Sequence, residues 1–115
     1  MSPKREVRDY LNDILQSIAD IRFFIAGMSF EQFCPDRKTV NAVVRSLEII
    51  GEAAKKIPAD IRLRNPDLPW TEIAAMRDKL IHEYFGVDIE IVWETVSHDL
   101  SPLESAIRMV LKDME

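Results

Sequence analysis

Residues 76–84 read MRDKLIHEY and crowd a guanidinium, a carboxylate, an imidazole and a phenol into nine positions. A helix buried in a core needs none of these groups. On a helix that turns 100° per residue, Asp78 and His82, four apart, share a face. The carboxylate can then accept a hydrogen bond from one ring N–H, orienting the imidazole and raising its proton affinity. Arg77 and Tyr84, two turns apart, share another face. Arg77 and His82 are five apart, a rotation of about 140°.

An arginine grips phosphate oxygens through paired N–H groups and offsets charge as it develops. A histidine carries the proton, as base toward a nucleophile or as acid toward a leaving group. The pair therefore suits a phosphodiester. RNA brings its own nucleophile, the 2′-hydroxyl, so such a site works without a metal and leaves a 2′,3′-cyclic phosphate or its hydrolysis product. Groups 140° apart make a poor site in one copy. Two copies about a two-fold axis place two of each around one groove, so the spacing predicts a homodimer. The same residue types also suit a salt-bridged surface helix, with Asp78 partnering Arg77 or His82, and spacing leaves both readings open.

The elements that must hold this stretch are helical. Val7, Tyr10, Leu11, Ile14, Ile18, Ile21 and Ile25 step by three or four and form one apolar stripe, which ends near Gly27. SFEQ at 29–32 has capping-box spacing. A second long helix is expected from about Asp36, with Val40, Val43, Val44, Leu47, Ile50, Gly51, Ala54 and Ile57 on its stripe and Pro58 at its end. Three prolines make 58–69 a connection with at most one short helical turn. Pro69 suits the first turn of a helix that begins near Trp70 and carries the motif to His82 or Tyr84, before Gly86. From Ile89 to Met114 the helical spacing continues across Pro102. SPLE at 101–104 predicts a restart there, with Ser101 as cap and Glu104 completing a box. The expected fold is all-α: a single domain over 1–115, an antiparallel bundle of four to five helices whose final helix is broken or kinked near Pro102.

The chain has 115 residues and a formal charge of −5, enough for one core and unlike a general nucleic-acid binder. The charge is uneven. Residues 37–64 hold seven cations, Arg37, Lys38, Arg45, Lys55, Lys56, Arg62 and Arg64, against Glu48, Glu52 and Asp60; the ordinary reading is a solvated helix face. No apolar run approaches the ~20 residues of a membrane span. The charged start, MSPKREVRDY, lacks a signal core, and a lone Cys34 suits a reducing compartment, so a cytoplasmic location is expected. Cys34 reads as structural, His98 as a surface residue, and Trp70 and Trp93 as core or interface anchors. No metal-ligand spacing and no glycine-rich phosphate loop occurs, and no cofactor is expected.

At Arg77, Asp78, His82 and Tyr84 the chain resembles the HepT-like toxins, which are HEPN-domain ribonucleases with an R-x4-H-x-Y motif. RSLEIIGEAAKKIP at 45–58, PWTEIAAMRDKLIHEYFGVD at 69–88 and IVWETVSHDLSPL at 91–103 also resemble that family, in its order. The resemblance implies an all-helical homodimer with the motif at the subunit cleft. It implies a metal-independent endoribonuclease toxin with Arg77 and His82 catalytic and Asp78 in support. Its partner would be an MntA-type nucleotidyltransferase antitoxin that transfers AMP to Tyr84. Added phosphate and bulk beside Arg77 and His82 would block the groove and repel RNA.

Two other functions fit the same residues. A helical binding module could grip a nucleotidyltransferase without cutting RNA, and the acidic charge suits that reading. A cleft of this kind could also take a free nucleotide as ligand. Glu48 and Glu52, one turn apart, could orient Arg77, contact the antitoxin or belong to an ordinary salt-bridged face with Arg45.

Overall fold

Short polar side chains set most of the helix starts. In the computed structural model, which describes residues 5–71, 73–75 and 88–114, α1 (Val7–Ile25) opens where the Asp9 carboxylate accepts the Glu6 N–H at 2.8 Å. It closes at Ala26, and Gly27 takes the left-handed conformation (φ +76°) that a side chain disfavours. Ser29 and Gln32 form the expected box, each capping the other's backbone N–H, at the start of α2 (Phe30–Phe33). Asp36 starts α3 (Arg37–Lys55) by accepting both the Thr39 N–H (3.1 Å) and the Thr39 hydroxyl (2.8 Å). The Thr39 N–H first, then its hydroxyl, hold the Asp36 carboxyl below its ordinary pKa.

α3 stops before Pro58, which precedes the short α4 (Ala59–Arg64). Helix resumes at Trp70 and is described through 73–75. Asp88, accepting from the Glu90 and Ile91 N–H groups, caps α5 (Ile89–His98). α6 (Leu100–Asp113) completes the described chain.

The stripes read from sequence are the core. Leu11, Ile14, Ile18 and Ile21 of α1 are wholly buried in one cluster with Val43, Leu47, Ile50 and Ala54 of α3 and Leu103, Ile107 and Val110 of α6. α1 packs on both partners. The packing is antiparallel: Tyr10 and Asp13 near the start of α1 share a cleft with Ala53 and Lys56 at the end of α3. Likewise Arg22 near the end of α1 donates to Ser101 and Glu104 at the start of α6. Trp93 of α5 stacks near Phe33 (centroids 4.9 Å) and Phe30 (6.1 Å), tying α2 to the bundle as an aromatic anchor.

The final helix breaks as expected, three residues before Pro102. α5 ends at His98, Asp99 closes it through its N–H to the Thr95 carbonyl, and α6 begins at Leu100. Ser101 therefore does not cap. It lies inside the first turn, where its hydroxyl accepts from Arg22 at 3.0 Å, while Glu104 accepts from Arg22 at 2.8 Å and from Arg108 at 3.2 Å. Pro102 is the third residue of α6, among the four whose N–H has no acceptor within the helix, so its missing donor costs no ladder bond. Sequence reading identified the break but missed the long-range competitor, a guanidinium 79 residues away along the chain.

Candidate functional site

Arg77, Asp78, His82 and Tyr84 lie outside the described residues, as does the expected stop at Gly86. The structure does describe the two anchors between which this segment runs. On the leading side, Asn65 ties the end of α4 to the next helix. Its side-chain amide donates to the Ile61 carbonyl (3.0 Å), and its own carbonyl accepts the Trp70 indole N–H (2.9 Å). The indole is buried with its polar atom satisfied, and Ile73, one turn on, is buried in the same core. The Ile73 N–H closes on the Pro69 carbonyl (3.0 Å), so Pro69 stands where a helix needs no donor, as expected. On the trailing side Asp88 holds the start of α5.

Two spaces adjoin the leading anchor. A cavity of about 220 Å³ lies under it, walled mainly by apolar groups of α3 (Leu47, Ile50), the 67–73 stretch (Leu68, Ile73) and the α5–α6 junction (Leu100, Leu103). An open groove of about 630 Å³ lies over it, between Arg62 and Leu63 of α4 and Trp70 and Thr71. Leu63 is 78% exposed on its rim.

Of the remaining sequence candidates, Arg45 pairs with Glu48 across one turn at 3.3 Å, with the arginine side chain 66% exposed. Glu48 thus has a partner on its own helix, as a salt-bridged face would give it, while any relation to Arg77 lies outside the described residues. Glu52 lines the cleft between α1 and α3. His98 is exposed, as expected, and Trp70 and Trp93 are anchors. Cys34 is exposed rather than packed, which corrects its structural reading: it follows α2 at a surface corner. Arg37, Lys38, Lys55, Lys56 and Arg64 are exposed, as a solvated face requires. Arg62 is not: it is half-buried, and its Nε is enclosed without a hydrogen-bond partner. Sequence reading grouped Arg62 with the solvated cations because α4 is too short to show a face. Glu104 is the other perturbed acid. The Arg22 hydrogen bond, and then that of Arg108, hold its carboxyl below the usual range against partial desolvation.

An antiparallel helical bundle with a broken final helix is the architecture of a HEPN-like domain. Residues 14–110 match the family model described as HepT-like, "Ribonuclease HepT-like". A Thermococcus cleftensis protein named "Probable ribonuclease HepT" is 49% identical over 109 residues, covering 95% of this chain and 99% of its own. A Methanocaldococcus jannaschii protein named as a putative RNase is 47% identical over 113 residues, covering 98% of this chain and 93% of its own. Another so named, from Caldanaerobacter subterraneus, is 48% identical over 105 residues, covering 91% and 94%. No solved structure matches the chain significantly. The chain belongs to the HepT-like ribonuclease family. Among its described residues no helix is long and apolar enough to cross a membrane.

Proposed function

We propose that this chain is the toxin of a type VII toxin–antitoxin system, a cytoplasmic, metal-independent endoribonuclease that acts as a homodimer. Membership of the HepT-like family, with Arg77, Asp78, His82 and Tyr84 all present at the motif's spacing, carries this reading. The RNA 2′-oxygen attacks the adjacent phosphorus and the 5′-oxygen leaves. His82 transfers protons between these oxygens, Arg77 stabilises the charge on the non-bridging oxygens, and Asp78 orients the imidazole. Groups from both protomers line the shared cleft.

Tyr84 is the acceptor of regulation. Its phenolic oxygen attacks the α-phosphorus of ATP on a cognate MntA-type nucleotidyltransferase antitoxin and pyrophosphate leaves. The AMP left on Tyr84 places negative charge where the RNA backbone would bind.

Co-expression with the neighbouring nucleotidyltransferase, followed by intact-mass spectrometry, is expected to show added mass in AMP units that maps to Tyr84. His82→Ala and Arg77→Ala are each expected to abolish RNA cleavage and growth inhibition while leaving a folded dimer, and wild-type cleavage is expected to persist in EDTA. The binding-module reading, which the −5 net charge suits, predicts instead a protein that grips its partner and never cuts RNA.

A further inference from the structure

The cations of this chain are concentrated. Residues 37–64 carry a surplus of four positive charges, while the remaining residues carry a net −9. Most of that surplus is solvated, but Arg62 departs from the pattern. Its Nε is the only buried side-chain nitrogen or oxygen among the described residues that lacks a hydrogen-bond partner. No carboxylate among the described residues pairs with it: the ion pairs between described residues that involve an arginine are those of Arg5, Arg22, Arg45 and Arg108. An enclosed N–H left without an acceptor is costly, and native structures resolve such atoms with a ligand or ordered solvent.

Arg62 is also one of the residues that line the open groove beside α4. The groove's 630 Å³ lies within the range of ligand sites. Arg62 and the exposed Leu63 form one side, and Trp70 with the exposed Thr71 forms the other. Thr71 precedes Arg77 by six residues, so the groove lies within about 21 Å of the motif even along a fully extended chain. One group opposes an anion there: the exposed carboxylate of Asp67, which also lines the groove.

We propose that this groove is a phosphate subsite for the RNA strand. Arg62 holds a backbone phosphate flanking the scissile linkage, and the enzyme thereby engages strands several nucleotides long. The guanidinium fits the role because its fork presents donors to two phosphate oxygens at once. The proposal rests on the ribonuclease reading of Arg77 and His82 and adds a separate site to it. Asp67 limits how tightly the strand is held, which suits an enzyme that must release its product.

The test compares a fluorescein-labelled 12-nucleotide RNA with a dinucleoside monophosphate, in wild type, Arg62→Gln, Arg62→Lys and Asp67→Asn. Cleavage kinetics are read on the active proteins, and affinity by anisotropy in a His82→Ala background. Arg62→Gln is expected to raise KM and Kd for the 12-mer about ten-fold and to lower the salt slope by about one phosphate contact, with kcat and dinucleotide cleavage unchanged. Arg62→Lys should recover part of the loss, and Asp67→Asn should tighten binding of the 12-mer. Should Arg62→Gln lower the melting temperature, Asp67→Asn, at an exposed position of the groove, carries the same test with a two- to three-fold fall in Kd for the 12-mer, about one exposed charge contact.

Unchanged Kd, KM and salt slope in Arg62→Gln, with wild type still cutting RNA, overturns the subsite and leaves the nuclease reading standing. A wild-type protein that neither binds nor cuts RNA overturns both. Normal RNA binding by Arg62→Gln combined with lost capture of the nucleotidyltransferase overturns the phosphate subsite and gives the groove to a protein partner.

Discussion

The α1–α3 side and the α4–Trp70 side of the molecule are built on different terms. Between α1 and α3, four isoleucine and leucine side chains of one helix are wholly buried against a matching stripe, and both starts are capped. Around α4 no residue of the helix itself is buried, Leu63 is exposed, and Arg62 encloses an unsatisfied nitrogen. A cavity and a groove flank the stretch that leads to the motif. The first side is organised for stability. The second keeps polar groups and open volume that packing would remove. One exception sharpens the contrast: Trp70 is buried and hydrogen-bonded within the open side, so the helix leading to the motif starts from a firm point.

The largest effect that separates the sides is catalytic. Arg77→Ala is expected to reduce RNA cleavage by about 100-fold or more with little change in melting temperature. A parallel loss of stability would mean that the motif arginine belongs to the scaffold. Next, Ile18→Ala on the closed side should cost about 2–5 kcal/mol in urea unfolding, through lost burial and the cavity it leaves. Asp36→Ala removes the cap of α3 and should lower the melting temperature by less than Ile18→Ala does.

The acids give a pH test. Asp36 and Glu104 have folded pKa values below their unfolded ones. Their stabilisation is therefore complete above the unfolded carboxylate range, about pH 4, and is lost as pH falls through the lower folded values. Melting temperature should hold on acidification toward that range and then drop, and Asp36→Asn with Glu104→Gln should flatten the drop. The smallest effect belongs to the open side: Leu63→Ser should change stability by less than about 0.5 kcal/mol. A loss of several kcal/mol there would show that α4 is part of the cooperative core and would erase the contrast.

Much of the bundle was legible because its causes are local. Ser29 with Gln32 and Asp36 with Thr39 satisfy backbone donors within one turn, so their spacing alone identifies helix starts. The stripe from Leu11 to Ile21 repeats at the helical period and has only one way to leave water. Pro102 was misread in detail because Ser101 had two possible partners, its own helix and Arg22, and only the docking of α1 on α6 selects between them.

The sequence by itself determined the helical class, the apolar faces, the caps near Ser29 and Asp36 and the identity of the motif side chains at 77–84. Periodicity, capping and residue chemistry act over a few neighbouring positions, so they can be read in order along the chain. Only the tertiary structure decided that the final helix breaks at Asp99, that Trp70 is anchored on Asn65, and that Arg62 alone among the α3–α4 cations is enclosed without a partner beside a groove. Burial and pairing depend on which distant segments arrive at a residue, and no spacing along the chain encodes that.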